Sequence, residues 1–156
     1  MSTSEPGSPA GVPVTPHPQA VVQKSQVRDV DGYERMVRGV RIEATRLGVG
    51  VGPNTVAGVS DGRFVATSCS IGFPIAVRSF VPDDRLVIAS MGTTPAGSRW
   101  CEVDLQLGTT MVYAPGSEHA AVNLSGLQFT FTVVEADAVA ARMDLLGLPA
   151  QRLERG

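Results

Sequence analysis

The stretch Gly108-Thr-Thr-Met-Val-Tyr-Ala-Pro-Gly-Ser-Glu-His-Ala-Ala-Val-Asn123 decides how this chain is read. Thr109 to Ala114 alternates in the manner of a strand, and so does His119 to Leu124. Pro115-Gly116 stands between them, and a tight turn of that kind returns the chain antiparallel. His119 then points inward, or toward the rim of whatever the strands enclose.

The same two-residue period continues on both sides. Val40 to Leu47, Arg63 to Ile71, Pro74 to Val81, Arg85 to Met91, Arg99 to Leu105 and Leu127 to Val134 all read as strands. Turn formers separate them, including Asp61-Gly62, Pro82-Asp83-Asp84 and Ser125-Gly126. Short strands at this spacing, with no strand–helix alternation, predict a mainly β fold closed into an antiparallel barrel or jelly roll.

Two helices complete the expectation. Asp31 with Glu34 matches a capping box, and Tyr33, Met36, Val37 and Val40 share one helical face, ended by Gly39. Near the other end Asp137 is a cap, Val139, Met143 and Leu146 form a stripe, and Gly147 with Pro149 stops the helix. The domain layout follows. Residues 1–26 form a disordered tail rich in Pro, Ser and Gly, and 27–150 form one domain. Residues 151–156 are the start of a linker or a frayed end.

Composition removes several functions. A formal net charge of −2 and no cluster of Lys or Arg leave no basic face for nucleic acid. Two cysteines, Cys69 and Cys101, are too few for a disulfide framework. With no apolar leader and no run long enough to cross a bilayer, the expectation is a cytoplasmic protein without membrane contact.

The opening stretch resembles the second conserved motif of cupins, with Gly108, Gly116, His119 and Asn123 at its spacing and Pro115 displaced by one place. Metal-binding cupins carry a His-x-His pair and a Glu in their first motif. The matching segment here, Ser98-Arg-Trp-Cys-Glu-Val-Asp104, has no histidine. One imidazole makes a poor metal site, so no metal and no cofactor are expected.

This histidine-poor form resembles the N-terminal sensory domains of AraC-type transcription regulators. Arg41 to Leu47, the Pro82-Asp-Asp-Arg85 turn, Gly97 to Cys101, the run from Tyr113 and the Gly126 to Val134 strand carry the likeness. It implies a cupin-like barrel that binds an unidentified small effector, trailing helices that form a homodimer, and helix-turn-helix units that read DNA. No such units appear in the sequence through Gly156, so DNA contact is expected only through a domain outside this chain.

Candidate site residues follow from the same reading. Phe80, Trp100, Tyr113, His119, Phe129 and Phe131 are the candidates to line an effector pocket, with core packing the plainer role for the aromatics. Val139, Met143 and Leu146 are the dimerisation candidates. No catalytic residue is assigned, and the chain is expected not to be an enzyme. Two rivals stand beside this: a metal-independent cupin isomerase or lyase using His119 with Glu43 or Glu102, and a truncated regulator that acts by heterodimerisation. Cys101 and His119 are also a possible thiolate pair, with no sequence signal that they touch. Gly58-Val-Ser-Asp-Gly62 matches a nucleophile elbow but reads better as a hairpin turn.

Overall fold

The computed structural model describes residues 20–147. The expected tail over 1–19, the linker over 151–156 and the Pro149 stop lie outside the described residues. Among those described, the chain is mainly β and carries two helices.

The order is β1 (Val21–Val27), α1 (Val30–Met36), β2 (Arg41–Arg46), β3 (Asn54–Ser60), β4 (Phe64–Ser70), β5 (Ile75–Phe80) and β6 (Arg85–Met91). Then come β7 (Arg99–Trp100), β8 (Val103–Asp104), β9 (Thr110–Tyr113), β10 (Glu118–Asn123), β11 (Gln128–Glu135) and α2 (Ala136–Leu145). They build two antiparallel sheets, β1-β3-β4-β11-β6-β9 and β2-β5-β10-β7-β8. Seven of the eight expected strands end within one residue of their expected limits.

Alternation makes the core. On β11, Phe129, Phe131 and Val133 are buried, while Gln128 and Thr130 face out. Ile75 and Val77 do the same on β5, and Val87, Ala89 and Met91 on β6. These residues join one cluster drawn from both sheets, so the sheets pack face to face. Tyr33 of α1 and Val37, which caps it, enter that cluster from one side.

Four expectations are corrected. Residues 21–26, expected in the tail, belong with Val27 to strand β1, paired with β3 from Val21↔Ser60 to Val27↔Asn54. The Gln23 to Gln26 stretch is polar on both faces, which hides an edge strand from a search for alternation. Asn54–Ser60 is also a strand, β3, and Ser60 ends it at the Asp61-Gly62 turn, so the Gly58 to Gly62 motif is a hairpin. Arg99 to Leu105 is not one strand but the hairpin β7–β8, turning at Cys101 (φ 45°) and Glu102 (φ 67°).

The fourth correction concerns the caps. Asp29, not Asp31, caps α1, its carboxylate accepting from the Gly32 N–H at 2.6 Å. Glu34 does not reach back to a cap; its Oε1 accepts from the Ala44 N–H at 2.6 Å and ties α1 to β2. At α2 the cap position is Glu135, without a side-chain cap bond, and Asp137 lies in the first turn. There its charge still opposes the helix dipole favourably. Gly147, at φ 68°, follows the helix as expected.

The glycine-rich link into β3 is a close-packed corner. A Cβ on Gly50 would fall 2.1 Å from the Gly72 carbonyl oxygen, and one on Gly72 would fall 2.2 Å from that of Pro53. Backbone meets backbone here, and only glycine allows it.

Candidate functional site

The inward faces of the two sheets meet around a small cavity of about 40 Å³. Trp100, Tyr113, Phe129 and Phe131 line it as a group, and Tyr33 of α1 closes one side. The aromatic order is stepwise: Trp100 stacks on Tyr113 at 5.1 Å between centroids, and Phe129 lies 6.3 Å from Phe131. Strand parity brings them together, since each sits on the buried face of its own strand.

Two polar atoms in this apolar lining have no partner. Trp100 Nε1, a donor, and Asn123 Oδ1, an acceptor, are both buried and unbonded. Asn123 is 1% exposed, so water cannot serve it from bulk. Each such group costs about 1–3 kcal/mol if left unmet. A hydroxyl group or a water has the chemistry that either one lacks, a donor for the Asn123 oxygen and an acceptor for the Trp100 N–H. The cavity has room for a guest of water size, far below the ~300–1,000 Å³ of ordinary ligand pockets.

His119 sits on the same face of β10 as Ala121 and Asn123, opposite Ser79 of β5. Its ring packs 4.2 Å from that of Tyr113. Nε2 lies 2.7 Å from Ser117 Oγ, and Nδ1 lies 3.5 Å from Cys101 Sγ. Burial lowers its pKa below the ordinary 6.5, which favours the neutral ring. Burial also raises the phenol pKa of Tyr113.

Neither His119 nor Phe80 lines the cavity; His119 borders it through Tyr113, and Phe80 stands apart altogether. It shares the outward face of β5 with Arg78, and the Arg41 guanidinium lies 4.0 Å above its ring. Arg78 itself pairs with Glu118 and with Glu43. Glu43 is therefore engaged on the outer face of its sheet, away from the cavity. Glu102 is exposed in the β7–β8 turn.

On α2, Val139 and Met143 are half-buried, while Leu145 and Leu146 are exposed at 78% and 60%. The helix continues directly from β11 and contains no fully buried residue. Among the described residues no helix is long and apolar enough to cross a membrane. No group of three or more His, Cys, Asp or Glu among them is placed to hold a metal ion.

The sequence reading missed Asn123, Tyr33 and Ser117 as site residues. Asn123 had a usable signal: it shares parity with His119 and Ala121, so an inward polar side chain was legible there. Tyr33 and Ser117 had none, because their roles depend on contacts between distant elements. No family model and no curated protein matches this chain.

Proposed function

We propose that this chain is the effector-sensing and self-association domain of an AraC-type transcription regulator, its two sheets forming a cupin-like jelly roll. The observation that carries the reading is that Trp100 and Asn123, each with a buried polar atom lacking a partner (Nε1 and Oδ1), are among the residues lining an aromatic cavity. A small, flat molecule bearing a hydroxyl group, which can both donate and accept, has the matching chemistry. Its apolar body stacks among Trp100, Tyr113, Phe129 and Phe131.

Entry requires the cavity to grow, and Tyr33 is the side chain to displace. It belongs to α1, a helix of seven residues held to β2 by the Glu34–Ala44 bond. A guest that presses on Phe129 and Phe131 also presses on β11, which runs directly into α2. Effector binding thus biases how α2 presents Val139, Met143, Leu145 and Leu146 to a second copy. DNA is read by helix-turn-helix units outside these residues.

The test joins binding to assembly. Small hydroxylated aromatics are screened by thermal shift, and oligomeric state is followed by light scattering with and without each hit. The expected result is a dimer that V139E and M143E dissociate, and at least one hit that Asn123→Leu abolishes. A wild-type protein that stays monomeric at all concentrations, and that no compound stabilises, would sink the reading.

A further inference from the structure

Three side chains from separate turns and strands meet where β7 ends and β10 begins in the second sheet: Cys101, His119 and Ser117. Their hydrogen bonds have a direction that can be worked out. Ser117 Oγ lies 2.5 Å from the Ala114 carbonyl oxygen, which can only accept, so the hydroxyl proton goes there. The Ser117 oxygen is then the acceptor toward His119, and Nε2, at 2.7 Å, carries the ring proton. In the neutral ring Nδ1 is left with its lone pair, and it faces the Cys101 sulfur at 3.5 Å. The thiol therefore has a base beside it, and the base has a group that orients it.

The rest of the surroundings fit that use. Cys101 is exposed, whereas Cys69 is buried with its thiol pKa pushed up to about 12. Cys101 and Glu102 occupy the left-handed region, in the turn positions that glycine and asparagine usually fill. Arg99 braces the turn, donating to the Glu102 carbonyl at 2.9 Å and pairing with Asp104 at 3.2 Å. A groove of about 410 Å³ on the outer face of the sheet reaches Cys101, floored by Ala76, Ala120 and Val122. Cys101 thus borders open space large enough for a small molecule.

We propose that Cys101, with His119 as its base and Ser117 orienting the imidazole, is a nucleophilic thiol site for small α,β-unsaturated carbonyl compounds. The thiol proton passes from Sγ to Nδ1 as the sulfur bonds to the β-carbon. The carbon–carbon π pair shifts to form the enolate, and the proton returns from the imidazolium to the α-carbon. The step is an addition, with no leaving group and no oxidant. The site lies at the strand ends, and it does not depend on the effector reading of the inner cavity.

N-ethylmaleimide, itself an α,β-unsaturated dicarbonyl, is the probe, with labelling of each cysteine followed by peptide mass spectrometry on the full chain. At pH 7 we expect Cys101 to be modified and Cys69 to stay protected, which also reports that the protein is folded. H119Q is expected to slow Cys101 labelling by at least about tenfold, and S117A by less. Equal rates in wild type and H119Q, with Cys69 protected in both, would overturn the proposal. Should H119Q expose Cys69, the wild-type pH profile decides. A rate that levels off once imidazole is neutral supports the pair. A rate that climbs tenfold per pH unit through pH 8, as for an unassisted thiol of pKa about 8.5, refutes it.

Discussion

Tyr33 and Cys69 meet in the core, the phenol oxygen donating to the thiol sulfur across 3.8 Å. Burial raises the pKa of both groups, so neither ionises at neutral pH. Sulfur is a weak acceptor, so Tyr33 holds α1 down chiefly through its ring. Tyr33→Phe should change stability by no more than about 1 kcal/mol. Tyr33→Ala should cost roughly 3–5 kcal/mol and leave a larger cavity. Urea unfolding of the two variants separates ring from hydroxyl, and a large loss in Tyr33→Phe would refute the assignment.

Asn54 fixes the corner between β3 and the Gly72-Phe73 turn. Its Oδ1 accepts from both backbone N–H groups, at 2.7 and 2.9 Å, and the residue is fully buried. Asn54→Ala strands two buried donors at about 1–3 kcal/mol each. We expect a loss of roughly 2–5 kcal/mol in denaturant unfolding. A loss under 1 kcal/mol would show that the turn has another partner.

Asn123 gives the opposite sign. Its Oδ1 is unmet, so Asn123→Leu removes a buried acceptor and keeps a similar volume. In the absence of any guest the variant should be more stable, by about 1 kcal/mol. A destabilised variant would mean that the carbonyl is already served, for instance by a held water.

His119 makes the protein acid-sensitive above the carboxylate range. Its folded pKa lies below 6.5, so between the two values the unfolded chain binds more protons. The stability contribution is fully present above 6.5 and is lost as pH falls toward the folded value. Asp61, held low by the Phe64 and Arg63 N–H groups, titrates further down and leaves that window clear. His119→Gln should flatten the pH dependence of the unfolding midpoint just below 6.5. An unchanged slope would remove His119 as its source.

Much of the β architecture was legible because burial on one face writes a two-residue period into the chain. Phe129 and Phe131 show it, and so do Ile75 and Val77. What escaped lacked that signature. Gln23, Lys24 and Gln26 are all exposed on an edge strand, and β3 includes Gly58 after a glycine-rich corner. The Cys101-Glu102 turn escaped because its left-handed geometry usually announces itself as Asn-Gly. Of the pocket candidates, parity grouped Trp100, Tyr113, Phe129 and Phe131, and the opposite parity put Phe80 outside. The Cys101–His119 contact is set by the register of β7 on β10, with Trp100 opposite Ala121. No local pattern encodes such a register.

β11, the last strand among the described residues, lies in the middle of its sheet, between β4 and β6. As the chain leaves the ribosome, β4 and β6 each wait with one open edge until Gln128–Glu135 has been synthesised. The first sheet therefore closes only once a strand more than 35 residues downstream of β6 has emerged. Long-range closure of this kind is slow and leaves sticky edges bare in the meantime. A nascent chain stalled before Gln128 should draw on chaperones more heavily than one stalled just after Glu135.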